Sequence, residues 1–149
     1  MKKEIKNRSI IINDNIEGVV SISLNDILIE ISDGNELQWA ILYLDAKGRL
    51  GEGKSMVDYA DDINDSKNGL IIKWSDLVNL SKKFLQIFDI VIIGSKNKVN
   101  LRRYTTDEKM YKSCYYVIEM CDSSYWKIVS YENDFINRLK NKYKLIEEF

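Results

Sequence analysis

Apolar and polar positions along the chain follow two periodicities, and segments of the two kinds alternate. Short apolar runs bounded by Gly, Asn, Asp or Ser are typical of β-strands, because turn residues end them after a few positions. The longest such run covers residues 37–44 and contains Trp39 and Tyr43. The pattern predicts further strands at residues 8–12, 70–74, 90–93, 114–120 and 126–131, and a less regular one near 99–104.

Other segments have apolar residues three or four positions apart, which is the spacing of an amphipathic helix. The first follows Ser23, which forms a variant of the capping box with Asp26. Ile27, Ile29 and Ile31 also alternate, so a strand remains the competing prediction for this segment.

Three more helices are predicted downstream. Residues 55–64 form a short acidic helix, and residues 133–148 form a C-terminal amphipathic helix. Between them, Ser75 caps a helix whose apolar positions recur at helical spacing. These positions are Leu77, Leu80, Phe84 and Phe88.

The elements together predict one α+β domain that spans residues 1–149. Its central sheet is expected to be mostly antiparallel, because the last two predicted strands are joined by a short turn at Asp122, Ser123 and Ser124. Three to four helices are expected to pack on this sheet. A chain of 149 residues can bury roughly 70% of the surface that its unfolded form exposes, so a real core is available.

The sequence contains no histidine, although it has 23 acidic and 22 basic side chains. Histidine is the usual general base near neutral pH and the commonest metal ligand, so Ser-His, Cys-His and His-metal sites are excluded. We therefore expect a protein that is not an enzyme and needs no cofactor. Carboxylate-based catalysis stays open, because it needs only two acids. Asp89 and Asp122 are the candidates for partial burial, and capping a helix or turn is the simpler role for each.

Two familiar ligand motifs are incomplete. A calcium loop beginning at Asp62 would have Lys67 in place of its glycine and Lys73 in place of its bidentate glutamate. The glycines of residues 48–53 do not have the spacing of a phosphate-binding loop. No metal or phosphate site is therefore predicted.

The apolar stretches are too short to cross a bilayer, which takes about 20 residues. The basic start of the chain is not followed by the apolar segment and small-residue cleavage site of a secretory signal. We expect a cytoplasmic protein with no membrane partner. In that compartment Cys114 and Cys121 are expected to be reduced packing residues.

The densest run of carboxylates lies on the predicted acidic helix, at Asp58, Asp61, Asp62 and Asp65. One interpretation is a solvated helix face without a function. The other is a docking surface for a cationic partner, in which Tyr59 would supply an aromatic anchor beside the charges. We take these five residues as the candidate partner-binding site.

Two other surface features have simpler explanations. A basic stretch with interleaved tyrosines could contact nucleic acid, but the net charge of −1 and the lack of a nucleic-acid-binding signature favour a solvated loop. The aromatic C-terminal hairpin is typical of cross-strand packing, although exposed hydroxyls there would serve an interface. The basic residues are Lys96, Lys98, Arg102, Arg103, Lys109 and Lys112, and the hairpin aromatics are Tyr115, Tyr116, Tyr125, Trp126 and Tyr131.

The chain resembles the small immunity proteins of bacterial polymorphic toxins, including those of contact-dependent growth inhibition. The resemblance rests on size, a residue choice typical of AT-rich genes, the acidic patch, and the order of segments around residues 68–77 and 123–126. It implies a 1:1 complex with a cognate toxin domain, often a cationic nuclease, whose active site or substrate access is blocked. It implies no direct contact with nucleic acid. A scaffold or regulator of another host protein is the alternative function, and a carboxylate-based enzyme is a further one.

Overall fold

The computed structural model describes residues 5–13, 15–16, 19–143 and 146–149. The described part contains nine strands and five helices. The strands are β1 (Arg8–Ile12), β2 (Asn15–Ile16), β3 (Val19–Val20), β4 (Gln38–Gly48), β5 (Leu70–Ile72), β6 (Phe84–Ser95), β7 (Tyr116–Cys121), β8 (Tyr125–Ser130) and β9 (Ile146–Glu148). The helices are α1 (Leu24–Leu28), α2 (Met56–Asp65), α3 (Trp74–Ser81), α4 (Asp107–Ser113) and α5 (Asn133–Lys142).

Seven of the strands form one antiparallel sheet in the order β5-β4-β6-β7-β8-β1-β9, and β2 and β3 form a separate hairpin. The two longest strands, β4 and β6, pair along most of their length at the centre. The chain is therefore a single α+β domain with an antiparallel sheet, as its pattern predicts. Its described residues form five short helices, where about three to four were expected.

Local sequence signals explain several element boundaries. Ser23 and Asp26 form the predicted capping box at the start of α1, which settles the helix-or-strand question for this segment. A three-residue turn, residues 122–124, joins β7 to β8: Cys121 pairs with Tyr125, and the Ser124 amide donates to the carbonyl of Cys121 at 2.9 Å. Asp122 and Ser123 have φ angles of 49° and 57°, in the left-handed region that tight hairpin turns use.

The two faces of the sheet are covered differently. The main core lies on one face, where side chains from α1, α2, α3 and α5 pack against the strands. Trp39, Tyr116 and Trp126 are fully buried in this core. A smaller core on the other face is covered by α4 and the loop before it, with Leu101 and Met110 at its centre.

The prediction of a helix from Ser75 through Phe88 was wrong at both ends. Ser75 is not the cap: it lies inside α3, which begins at Trp74 after Lys73 as its N-cap, without a side-chain capping hydrogen bond, and ends at Ser81. Phe84 and Phe88 belong to β6, which pairs with β4 along residues 84–95. The segment is rich in Ile, Phe and Val, and these residues favour a strand once a neighbouring strand is available for pairing.

Two other predicted elements also differ. Residues 99–104 do not form a strand; a short 3₁₀ turn at Lys98–Asn100 leads into a loop and then into α4, which was not predicted. The C-terminal helix stops at Lys142, and Ile146–Glu148 pairs with β1 as an edge strand. Residues 144–145 of that predicted helix, and residues 1–4 of the basic start, lie outside the described residues.

Candidate functional site

Helix α2 brings the four predicted aspartates onto one exposed face, which we call the acidic face. Asp58, Asp61, Asp62 and Asp65 follow an i, i+3, i+4, i+7 spacing, and all four are exposed. The opposite side of the helix, with Met56, Ala60 and Ile63, is buried in the main core.

Tyr59 lies at the flank of the acidic face rather than on it. Its ring is half-buried and packs against the main core. Burial, with a smaller contribution from the nearby Asp76 carboxylate, raises the pKa of Tyr59 above its ordinary value, so the hydroxyl stays protonated. Val57, one residue earlier, is 65% exposed and is the apolar side chain that α2 does present to solvent.

The acidic face lowers the stability of its own helix. Asp58 with Asp62, and Asp61 with Asp65, are like-charge pairs at i, i+4, and each costs about 0.2–0.5 kcal/mol. Asp62 and Asp65 also lie near the C-terminal end of α2, where the helix dipole disfavours negative charge. No described cation forms an ion pair with any of the four.

Two side chains that hold α2 in place explain how it tolerates this charge. Asn64 makes a two-way contact with strand β4: its Oδ1 accepts a hydrogen bond from the Leu44 amide, and its Nδ2 donates one to the Leu44 carbonyl, both at 2.9 Å. Strand β5 pairs only with residues 39–41 of β4. Asn64 therefore supplies hydrogen-bond partners for the backbone of Leu44, which lies beyond that pairing.

Arg103 closes the C-terminal end of the same helix. Its guanidinium donates to the carbonyl oxygens of Ile63 at 2.9 Å, Asn64 at 3.3 Å and Ser66 at 3.1 Å, and also to the carbonyl of Leu42 on β4. A positive group at the negative end of a helix is favourable, and the last carbonyls of a helix have no partner within it. Arg103 thus offsets part of the unfavourable charge on α2.

The basic stretch is mostly occupied by contacts within the protein. Lys96 lies 4.6 Å from the centre of the Tyr115 ring, and Arg102 lies 4.2 Å from that of Tyr104. Lys112 pairs with Glu108 at 3.2 Å. Lys109 and Lys112 lie on α4 and Arg103 is bound to α2, so the stretch is not the solvated loop that the sequence favoured.

The aromatic hairpin is largely a packing feature. Tyr116 and Trp126 are buried, and Tyr115 stacks on Tyr131 with ring centroids 6.2 Å apart. The Tyr116 hydroxyl donates to Asp33 at 2.7 Å, and the Trp126 indole N–H donates to the carbonyl of Ile22 at 2.9 Å.

The partial burial predicted for two acids holds for Asp89 but not for Asp122, and the most buried carboxylate is a third one. Asp122 is exposed, and Asp89 is half-buried and accepts a hydrogen bond from the Asp122 amide at 2.9 Å, which is the predicted capping role. Glu119 on β7 is instead the buried acid, with 8% exposure. Burial raises the pKa of Glu119, while the Tyr111 hydroxyl, which donates to it at 2.8 Å, acts in the opposite direction.

The Tyr111 hydroxyl donates to Glu119, and the charges of Asp107 and Lys127 act on it in opposite directions: Asp107 raises its pKa and Lys127 lowers it. The Lys127 Nζ lies 4.7 Å from the centre of the Tyr111 ring. No group of three or more Cys, Asp or Glu side chains suited to a metal ion occurs in the described ranges. Both cysteines are free, as expected for packing residues, and burial raises the pKa of each thiol.

Comparison with known proteins found no matching family model, no matching curated protein and no matching solved structure. Within residues 5–13, 15–16, 19–143 and 146–149, no helix has the length and apolar character needed to cross a membrane. The geometry of the molecule is therefore the basis for its functional interpretation.

Proposed function

We propose that this chain is an immunity protein that binds a cognate toxin domain and neutralises it in the cytoplasm of the producing cell. The partner is a cationic domain, a nuclease in the first instance, held as a 1:1 heterodimer. The acidic face of α2 occupies the toxin's active site or blocks substrate access to it, with Tyr59 contributing at the flank.

The observation that carries this proposal is the arrangement of charge on α2. Four exposed aspartates repel one another along a single helix face, and no described cation is paired with them. These four aspartates lower the stability of the helix and make no ion pair that would support the fold, so binding to a partner is the best explanation for them. A row of carboxylates can imitate the phosphates of a nucleic acid, so it fits the cationic groove of a nuclease.

The rigid seating of α2 supports the same function. Asn64 and Arg103 fix the helix to β4, so the carboxylates are held in one arrangement before the partner arrives. Preorganised charges bind more tightly, because less conformational freedom is lost on association. Close charge pairs at a nuclease–inhibitor interface couple by about 1.5–7 kcal/mol, which is enough for a few aspartates to dominate affinity.

The first test is co-expression of the tagged protein with the product of the gene immediately upstream, followed by affinity capture, mass spectrometry and measurement of the molar ratio. We expect a stoichiometric 1:1 complex with a toxin-like domain. Recovery of the tagged protein alone would contradict the proposal.

The second test reverses two charges of the acidic face. Asp61→Lys with Asp62→Lys should weaken binding to the captured partner by about 100-fold or more, which corresponds to about 2.7 kcal/mol. The salt dependence of the dissociation constant should also become shallower. Isothermal titration at low and high salt measures both quantities.

A matched control distinguishes the effect of the acidic face on binding from the effect of overall net charge. Glu36→Lys with Glu52→Lys makes the same change in net charge at two exposed acids outside α2. The affinity of this double variant for the captured partner should stay within a few-fold of the affinity of the unmodified protein. Equal losses in the two double variants would show that only the overall charge matters, and unchanged affinity in the α2 variant would remove the acidic face from the interface.

A further inference from the structure

Strand β6 has a free edge at its beginning. Its 12 residues pair with β4 on one side from Phe84 onward, but β7 pairs with it on the other side only from Ile90 to Gly94. The hairpin tip adds one hydrogen bond, from the Ser123 amide to the carbonyl of Phe88. Among the described residues, no backbone group pairs with residues 84–87 on the β7 side.

A groove of about 350 Å³ runs along this free edge, and we call it the β6 groove. It lies between the start of β6, the tip of the β7–β8 hairpin and the segment that precedes α1. Of the residues that the structure describes, no Lys, Arg, Asp or Glu lines it. Its apolar lining includes Leu85, which is 77% exposed. The other apolar residues of the lining are Ile22, Leu24, Phe84, Ile87, Met120 and Trp126.

Several polar groups of the lining already have partners inside the protein. The Trp126 indole N–H donates to the carbonyl of Ile22, and the Ser81 hydroxyl donates to the carbonyl of Val78. The Ser23 hydroxyl caps α1. A molecule that enters the β6 groove therefore meets apolar side chains, uncharged polar side chains and the edge of a strand.

We infer that the β6 groove binds an extended, uncharged segment of a partner protein by β-strand addition. The segment pairs with the backbone of residues 84–87 and places an apolar side chain against Met120 and Trp126. Strand addition obtains affinity from main-chain hydrogen bonds and specificity from pockets for alternate side chains, and this groove offers both features side by side. Leu85 covers the bound segment from the rim.

The lining contributed by the described residues is uncharged, which favours an uncharged segment. Leu85 at the edge of β6 is 77% exposed, and an exposed strand edge also offers itself to the same edge of a second copy. A second copy is therefore the other occupant that the test below distinguishes. The β6 groove shares no residue with the acidic face, so this inference goes beyond the proposed function and does not depend on it.

The test uses random peptides displayed on phage, selected against the full chain and against a Leu85→Asp variant in parallel. Leu85 is exposed, so the variant is expected to fold, and it introduces a charge into an uncharged groove. Selection should enrich uncharged sequences with alternating apolar residues on the unmodified chain only. The enriched peptide, made synthetically, should bind Leu85→Asp at least about 10-fold more weakly.

Two further measurements locate the peptide. Amide hydrogen exchange at residues 84–87 should slow when the peptide is bound, because strand addition protects backbone amides that a side-chain contact alone would leave exchanging. Ile71→Asp is the matched control: it changes an exposed apolar residue, 48% accessible, on the opposite edge strand β5, and it should leave peptide affinity unchanged.

Four results would overturn the inference. These are the absence of any enriched peptide, equal binding to Leu85→Asp, loss of binding in Ile71→Asp, and a dimer in light scattering that Leu85→Asp abolishes. The last result would assign the groove to a second copy. Failure of the toxin-binding test leaves these readouts unchanged, so the two proposals fail separately.

Discussion

Glu119 is the only carboxylate or cationic side chain that the fold buries among the described residues. Strand β7 presents it on the face that α4 covers, where the Tyr111 hydroxyl donates to it. Burial disfavours the charged form and raises the pKa of Glu119, so the folded state holds the proton more tightly than the unfolded state does. Between the ordinary carboxyl pKa and the raised one, stability therefore falls as pH rises.

Replacing this acid tests its contribution. Glu119→Gln keeps an acceptor for Tyr111 and removes the buried charge, so the variant should gain stability relative to the unmodified protein as pH rises from about 4 to about 7. Urea unfolding at several pH values measures this difference. Glu108→Gln, at an exposed residue paired with Lys112, is the control and should change stability by less than about 0.5 kcal/mol at each pH. A constant or shrinking difference for Glu119→Gln would show that its neighbours stabilise the charge.

The sequence could not identify Glu119 as buried. Alternation along β7 shows that successive side chains point to opposite faces, but it does not show that both faces are covered at this point. That coverage comes from α4, which lies just before β7 along the chain and was not predicted. The spacing of the four aspartates, in contrast, was sufficient to place them on one helix face.

Helix α2 depends on a residue distant in sequence. Arg103 binds the carbonyls of Ile63, Asn64 and Ser66, and its removal leaves these groups and the carbonyl of Leu42 without their charged donor. Hydrogen bonds to charged groups contribute about 1.5–3 kcal/mol each, and partial exposure of Arg103 reduces the sum.

Arg103→Ala should lower the free energy of unfolding by about 2–3 kcal/mol, and amide exchange in the last turn of α2 should become faster. Arg103→Lys should recover only part of the loss, because one ammonium cannot reach four carbonyls. The adjacent Arg102→Ala is the control: it removes an exposed cation–π contact with Tyr104 and should cost about 0.5–1 kcal/mol. Equal losses at the two arginines would contradict a special role for Arg103.

The boundary between α3 and β6 shows why element prediction failed locally. Leu77, Leu80, Phe84 and Phe88 fit a helical stripe, and Phe84 onward equally fits a strand. Local sequence cannot choose between the two, because the choice depends on β4 offering a full row of backbone partners. The same holds for residues 146–148, which fit a helical pattern but form a strand because β1 offers them a free edge for pairing. The local sequence does not show that this edge is available.

The two ends of the chain meet in the sheet, which makes the domain a single structural unit. Strand β1 pairs with β8 from Arg8 opposite Ser130 to Ile12 opposite Trp126. The main core likewise joins residues from Ile10 to Leu139. Because residues from most parts of the chain contribute to this core, the loss of one segment exposes core side chains of the others to water.

Unfolding should therefore be one cooperative transition. Trp39 and Trp126 are buried in the main core and Trp74 packs against it, so tryptophan fluorescence reports core packing while far-UV circular dichroism reports the backbone. In urea, the two signals should have the same midpoint, both in the unmodified protein and in Arg103→Ala, where the midpoint moves down. Two separate midpoints would indicate units that unfold independently.

The sequence by itself determined the features that depend on near neighbours along the chain. These are the capped start of α1, the hairpin turn at Asp122 and Ser123, and the acidic face of α2. Only the tertiary structure decided where α3 ends, which acid is buried, how Arg103 secures α2, and that β6 keeps a free edge beside a groove. The physical reason is that periodicity and capping act over a few residues, whereas strand pairing, burial and helix anchoring depend on partners brought together from distant parts of the chain.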